Sequence, residues 1–434
     1  MSLTYYLIFF AVFAAVLVFT MRSGKHPATG ADFALSGRKA TAGDVAWVII
    51  GTLVGGAATV GTVQMAYLFG FAAWHFTLGS GLACLVLALA FSRALRESQS
   101  VTVAQYLGSR FGPGFQTYSS MIASTGMLMQ IVAQFLAAAA LLGSVFGFAP
   151  TVAIVLSAIM TLGMIVSGGL AGAGRVGKLK CFLLYLIMAL AAVLALHGAG
   201  GWTGLMDAAR SRGGDLSLFA YGFRPAMVDL GSMVVGVLST QIYLQAVFAA
   251  QTVRAARRGA LLSAALIPPL GLLGIVVGLY LRGRAPELAA DTARALPFFI
   301  NQSFPPALAA LCLAGLLIIV LGTGAGLALG VATNLHNDLL IKVGWVHRRW
   351  EGVTLLRAGC VALVLLAAIL AWLSLHTAIL QWSYVAMGLR GTAVFAGLCL
   401  VVFGRNTPWI RRAKPVLFAL PILYLLYIFL KYAA

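Results

Sequence analysis

Two segments of the sequence combine glycines, hydroxyls and amides within otherwise apolar surroundings. The first lies between Gly51 and Gln64 and includes Gly55, Gly56 and Thr59. A helix of this composition is easily broken, and a broken helix exposes backbone polar groups that can hold an ion or a polar solute at membrane depth. Close packing through small residues explains the same composition equally well, so both interpretations stay open.

Amide side chains in the apolar segments could donate hydrogen bonds to a polar solute. Two of them, Gln130 and Gln134, are one helical turn apart and would share a face. Hydrogen bonding between helices is the equally strong alternative. The glutamines concerned are Gln64, Gln130, Gln134, Gln241 and Gln245.

Arg390 falls near the middle of an apolar segment, where a charge costs several kcal/mol unless it faces a cavity or a partner. It could bind an anionic solute. The acids that border apolar segments, Asp44 and Asp229, lie at segment ends and not at the midplane, where a partner for the arginine is wanted. The predicted solute-binding residues are Gly55, Gly56, Thr59, Gln64, Gln130, Gln134, Gln241, Gln245 and Arg390.

Composition excludes most other classes of protein. Apolar residues make up 62% of the 434 positions and charged residues 9%, against roughly 25% charged residues in soluble domains. The formal charge of +19 has an ordinary explanation in the positive-inside bias of membrane proteins, so we predict no nucleic-acid partner. The histidines and cysteines lack metal-site spacing, and no loop could hold a catalytic domain. We therefore predict no metal, no cofactor and no enzymatic activity.

The apolar runs predict an all-α membrane protein of about twelve transmembrane helices. An even number of spans places both termini on one side, and the positions of the basic residues put that side outside. We read the first run as a retained helix of a multi-pass inner-membrane protein in contact with the lipid bilayer. The predicted spans are residues 4–20, 44–67, 75–91, 119–146, 151–170, 179–196, 227–250, 260–281, 307–329, 353–375, 378–403 and 416–430.

The seventh span is a second segment rich in small and polar residues, and it occurs five spans after the first. Spans two to six and seven to eleven would thus have opposite topology, which predicts a 5+5 inverted repeat around a binding site. We treat residues 1–434 as a single domain. It comprises an extra helix (4–20), a first repeat (44–196), a second repeat (227–403) and a further helix (416–430).

In this arrangement the chain resembles the sodium:solute symporter family, which has the leucine-transporter-type fold. The resemblance covers nearly the whole chain, and its motifs are specific as an ordered set rather than singly. The segments that carry it are residues 32–38, 66–70, 101–112, 168–170, 255–259 and 296–306.

The resemblance implies a sodium site between the second and ninth spans. Its carbonyl ligands would be those of Gly51, Val54 and Ile319, and its paired hydroxyls map to Gly322 and Thr323, so one hydroxyl is missing here. A hard cation wants several oxygen ligands, and sodium binding should therefore be weakened.

A lysine stands where the family tends to place a glutamine. The positions of the family's acid and glutamine align with Gly177 and Lys180. The ammonium of Lys180, or less readily that of Lys178, could replace the ion, since a desolvated lysine changes protonation state readily. Ordinary snorkelling of both lysines to the cytoplasmic interface is the alternative.

These observations predict a secondary active transporter that moves a small polar organic solute by alternating access, with a degraded sodium site. The coupling ion would be sodium or a proton. The alternatives are a sodium-independent, proton-coupled transporter and a transporter-like membrane sensor.

Overall fold

The computed structural model describes residues 3–23, 36–211, 216–340, 349–375, 377–404 and 412–433. Helices dominate these ranges, as expected where the bilayer leaves backbone groups no partner outside their own segment. An isolated bridge joins Ala40 to Ala250. In chain order the α-helices are α1 (Leu3–Ser23), α2 (Ala42–Leu53), α3 (Thr62–Phe69), α4 (His75–Val86), α5 (Ser92–Glu97), α6 (Val103–Phe111), α7 (Pro113–Phe146), α8 (Pro150–Ala199), α9 (Gly201–Arg210), α10 (Phe223–Val237), α11 (Gln241–Phe248), α12 (Val253–Arg284), α13 (Ala295–Ser303), α14 (Pro306–Leu335), α15 (Arg349–Leu373), α16 (Ile379–Arg390), α17 (Ala396–Phe403) and α18 (Lys414–Ala433).

Short helical segments of other pitch connect several of these helices. Segments of π-helix directly precede α3, α5 and α17. A further π segment follows α14 and extends it. Single turns of 3₁₀-helix lie in the loops. The π segments are Ala57–Gly61, Leu87–Phe91, His336–Leu340 and Gly391–Phe395, and the 3₁₀ segments are Ser36–Arg38, Gly70–Trp74, Pro286–Ala290 and Thr292–Arg294.

Each predicted span coincides with apolar helix. By length and composition, six helices among the described residues can cross a membrane, or seven if the bent pair α10 and α11 counts as one span. Five shorter apolar helical stretches, in α1, α2, α8, α15 and α18, account for the rest. The prediction of an all-α membrane protein is confirmed.

Helix α8 contains two predicted spans, 151–170 and 179–196. Its 50 residues would extend about 75 Å if straight, well over twice the hydrocarbon thickness. Both of its ends nevertheless lie beside the end of α12. Pro150 lines a cavity together with Asp291, and the backbone at Gly198 faces the Tyr280 side chain. The chain therefore crosses the bundle twice within α8.

The two glycine-rich spans are interrupted, as their composition predicts. Helix α2 ends at Leu53, and Val54 is extended, with φ −88° and ψ 105°. Helix α10 ends at Val237, Thr240 is extended, and α11 continues at a 40° angle to α10.

Two long helices, α12 and α14, pack beside the elements that carry these interruptions. Helix α14 packs against α7, α8 and α1, while α12 packs against α2, α3 and α4. Thr41 begins α2 with a capping box in which Asp44 closes the first turn. The architecture thus brings the breaks, α7 and α14 together at the centre of the bundle.

Candidate ion and solute site

Four of the five residues predicted to form the ion site converge around one hydroxyl. Thr323 Oγ1 lies 2.9 Å from the carbonyl oxygen of Ile319, 3.3 Å from that of Val54 and 3.4 Å from that of Gly51. A threonine hydroxyl has a single proton to donate, so it can satisfy one of these three acceptors. The remaining carbonyls form an oxygen-rich pocket that favours a cation or another donor.

The ammonium of Lys180 lies in this pocket. Its Nζ donates to the carbonyl oxygen of Gly51 at 2.6 Å and to Thr323 Oγ1 at 3.0 Å. The residue is only 5% exposed, so the charge is withdrawn from water and held by these oxygens. Lys178, two positions earlier, is exposed. The structure therefore distinguishes the two lysines that the sequence left as alternatives.

The absence of a side chain at Gly322 makes room for this lysine. A Cβ atom at that position would lie 3.3 Å from Lys180 Nζ and 3.2 Å from Met164 Cε. A hydroxymethyl group there would compete with the ammonium for the same space. The side-chain surroundings of Gly177, the other departure from the family pattern, lie outside the described residues.

Packing between α8 and α14 positions the lysine. A Cβ atom on Gly315 would lie 2.8 Å from Leu183 and 3.1 Å from Ile187, so the glycine lets α8 approach α14 closely. Lys180 is one turn before Leu183 on α8, which aims its side chain at the break after α2. No local sequence pattern signals this contact, because it depends on the approach of separate helices.

The amide of Gln134 binds the broken second span directly. Its Oε1 accepts a hydrogen bond from the backbone N–H of Gly56 at 2.7 Å. A Cβ atom on Gly55 would lie 2.5 Å from that oxygen, and one on Gly56 would overlap Ala137. Thr59 donates to the carbonyl of Gly55 at 2.9 Å. Gln134 Nε2 is buried and has no hydrogen-bond partner among the residues that the structure describes, so it is available there as a donor.

Arg390 is fully buried between α7 and α16. Its Nε donates to the carbonyl of Ala386 at 3.0 Å, and its Nη2 lies 3.5 Å from Gln130 Oε1 and 3.0 Å from Met387 Sδ. Gln130 Nε2 in turn donates to Ser383 Oγ at 2.9 Å. Within the described ranges, Arg390 Nη1 is buried without a hydrogen-bond partner. The sequence missed Ser383, whose role is visible only once α7 and α16 are paired.

A small residue facing Arg390 creates the space for its side chain. A Cβ atom on Gly126 would overlap Arg390 Cγ. Gly126, Gln130 and Gln134 recur at intervals of four on α7 and therefore follow one stripe of that helix. Arg390, which is carried by α16, thus packs against the face of α7 that also carries Gln134.

The remaining predicted glutamines join elements at the two ends of the bundle. Gln64 Nε2 donates to Thr292 Oγ1 at 3.1 Å, and its Oε1 accepts from the N–H of Ile379 at 3.2 Å. Gln241 Nε2 donates to the carbonyl of Val101 at 3.1 Å, and its Oε1 accepts from the N–H of Val103 at 3.0 Å. Gln245 lies one turn after Gln241, with its Oε1 3.4 Å from Gln241 Nε2. Gln64 and Gln241 thus use their amides to link protein segments.

A cavity of about 550 Å³ is lined in part by Gln64. Its lining includes Asp291 and Arg294 from the loop before α13, residues that the sequence did not single out. Ahead of α10, Tyr221 donates to Asp229 at 3.0 Å. Burial and the Asp229 carboxylate raise the pKa of the Tyr221 hydroxyl, which keeps it protonated as a donor.

A helical bundle with two broken spans, the first of which contributes carbonyls to an oxygen cluster around Thr323, matches the fold of solved membrane transporters. A solved structure of a sodium-coupled sialic acid symporter, substrate-bound and outward-open, matches with a TM-score of 0.75 at 18% identity, covering 93% of this chain and 87% of that one. Mhp1, a nucleobase-cation-symport-1 family transporter in a closed conformation, matches with a TM-score of 0.62 at 14% identity, covering 88% and 83%. At these identities the likeness establishes the fold alone.

The family model for the sodium:solute symporter family matches residues 33–407, and the chain belongs to that family. It is a multi-pass membrane transport protein and not an enzyme. A curated relative, the uncharacterized symporter YwcA of Bacillus subtilis, is 26% identical over 188 residues, which is 42% of this chain. The matched region spans 36% of the length of that relative.

Proposed function

We propose that this protein moves a small polar organic solute across the inner membrane by alternating access, and that the ammonium of Lys180 replaces the sodium ion. The observation that carries the proposal is the position of Lys180 Nζ, 2.6 Å from the Gly51 carbonyl and 3.0 Å from Thr323 Oγ1. These are two of the atoms that family resemblance assigns to sodium. The ammonium of Lys180 and a sodium ion would therefore compete for the same oxygens.

The lysine supplies what the ion would supply structurally. A bound cation joins the break after α2 to α14, since its ligands come from both. Here Lys180 makes that connection from α8, and its covalent attachment means that no sodium need bind to stabilise it. A lysine can also take up and release a proton, so a proton is the coupling ion that this arrangement favours.

The solute would approach through the outer cavity and bind beside the break after α2. Gln64 lies between this cavity and Thr59, and its two hydrogen bonds would have to open for passage. Beyond it, the buried Nε2 of Gln134 offers an unused donor to a polar group. Thr59, Gln130 and Arg390 complete the polar surface on this path.

Thermal unfolding of the purified protein in sodium chloride and in choline chloride tests the replacement. We expect the wild-type Tm to be the same in both salts. The double variant Lys180→Gln with Gly322→Ser restores the family's amide and hydroxyl, and its Tm should rise in sodium chloride. The matched control Lys178→Gln, at an exposed site, should behave like the wild type. A wild-type Tm that rises with millimolar sodium but not with choline would refute the proposal.

A further inference from the structure

The core of the bundle contains two buried cations and, among the described residues, no acid paired with either. Lys180 is 5% exposed and Arg390 is 0% exposed. The hydrogen-bond partners of Lys180 are a carbonyl and a hydroxyl, and those of Arg390 are a carbonyl, an amide oxygen and a thioether. A buried charge without a counter-charge is expensive in a low dielectric. The described core therefore holds two basic side chains and no acidic side chain that pairs with them.

The acids nearest to the spans have other roles. Asp44 caps the first turn of α2 through Thr41. Asp229 accepts from Tyr221 at 3.0 Å in the outer half of the bundle. Asp338 accepts from Thr102 at 3.0 Å and from Gln116 at 2.8 Å, where α14 ends. None of these carboxylates forms an ion pair with Arg390.

Arg390 has one donor that is not used within the described part of the chain. Its Nη1 is buried without a hydrogen-bond partner there, whereas Nε and Nη2 are occupied by Ala386, Gln130 and Met387. Guanidinium groups prefer planar anions such as carboxylates, which accept charge-assisted hydrogen bonds. The Nη1 donor of Arg390 is therefore better suited to an oxygen of an anion than to a neutral hydroxyl.

A second unused donor lies further along the same face of α7. Gln134 Nε2 is also buried without a partner, and Gln134 follows Gln130 by four residues, about 6 Å along the helix. The broken span α10–α11 lies close to Arg390, because Met387 Sδ, which contacts Arg390 Nη2, is 4.0 Å from Thr240 Oγ1. A small molecule there could place a carboxylate at Arg390 and a further acceptor at Gln134.

We infer that the transported solute is a small carboxylate anion whose negative charge is paired by Arg390. This inference rests on the proposed transport function and adds the chemical class of the solute. Binding of the anion completes the charge balance of the core. It also connects α16, which carries Arg390, to α7 and to the break in the seventh span, so that binding and closure would be coupled.

The test compares acids with their uncharged amides. Melting temperatures of the purified protein are measured with acetate, lactate, pyruvate and succinate, and with acetamide, lactamide, pyruvamide and succinamide, against sodium chloride at equal concentration. We expect at least one acid to raise the Tm and its amide to have no effect. Three results would each overturn the inference. They are an equal rise in Tm with an acid and its amide, an equal rise with the acids and with sodium chloride, and no rise with any acid.

Variants locate the effect at Arg390. Arg390→Gln should weaken binding of the stabilising acid at least tenfold, and Arg390→Lys should weaken binding less. The exposed control Arg254→Gln should leave binding unchanged. If the Arg390 variants do not fold, Gly126→Ala provides an independent test, because its methyl group displaces the Arg390 side chain while keeping its charge. Unchanged affinity in Arg390→Gln, or in Gly126→Ala where only that variant folds, would contradict the assignment.

Uptake into proteoliposomes separates the two levels of the proposal. Binding of an acid at Arg390 without flux would leave the anion site intact and refute the transport function. Flux of the uncharged amides at the rate of the acids would leave transport intact and refute the inference.

Discussion

Lys180 and Arg390 are the residues to which we assign the central roles in the proposed transport. Each is a long cationic side chain withdrawn from water, and each is made possible by a glycine, Gly322 in one case and Gly126 in the other. The two sites differ in how complete they are. Lys180 is held by two oxygen atoms, whereas Arg390 retains an unused donor. We therefore assign a fixed role to the lysine and a ligand-binding role to the arginine.

Gln134 supports the broken span through one hydrogen bond. In Gln134→Leu, the Gly56 N–H would lose its acceptor at 2.7 Å and be left buried and unsatisfied. We expect the free energy of unfolding to fall by about 1–3 kcal/mol. The exposed control Gln251→Leu should change it little. Chemical denaturation followed by tryptophan fluorescence measures both, and equal stability of the two variants would contradict the role given to Gln134.

At this scale, the sequence predicted identities better than contacts. Alignment with the family pattern placed a lysine and a missing hydroxyl at the ion site, and the position of Arg390 within a span marked it as functional. The partners of these residues depend on how α7, α8, α14 and α16 approach one another. For that reason Gln64 and Gln241, predicted to contact the solute, instead link segments at the two ends of the bundle, and their predicted contact with solute stays untested.

The interrupted helices are the elements that create the site. The break after α2 frees the carbonyls of Gly51 and Val54, which then face Thr323 on α14. Composition predicted this break, because clustered glycines and hydroxyls weaken a helix. The backbone groups freed by the break are tolerated at membrane depth where they find partners within the protein. The double crossing within α8 was likewise predicted as two spans, although the structure assigns one continuous helix to it.

Close packing at the break distinguishes its glycines from those elsewhere. In Gly56→Ala, the new methyl group would overlap the Cβ atom of Ala137, so we expect the free energy of unfolding to fall by about 1–3 kcal/mol. The matched control is Gly231→Ala in α10, where a Cβ atom meets nothing within 4 Å. Alanine there should preserve stability or raise it by up to about 1 kcal/mol. A similar loss in both variants, measured by denaturation, would show that packing at the break is not special.

At the scale of the whole molecule, the fold is that of a transporter, and the described core contains two buried cationic side chains, Lys180 and Arg390. The spans and the family were accessible from the sequence, because hydrophobic length and ordered motifs are local properties. The energy source was not, because it depends on whether a lysine on one span reaches the oxygens of two others. Because the ammonium lies 2.6 Å from the Gly51 carbonyl and 3.0 Å from Thr323 Oγ1, we propose transport without sodium.

Solute uptake into proteoliposomes with sodium replaced by choline tests this claim most directly. The solute would be the radiolabelled acid that most raises the Tm, and an imposed pH gradient would report on proton coupling. We predict the same initial rate in sodium and in choline, with Lys178→Gln as a control that retains it. Uptake that strictly requires sodium would contradict the account.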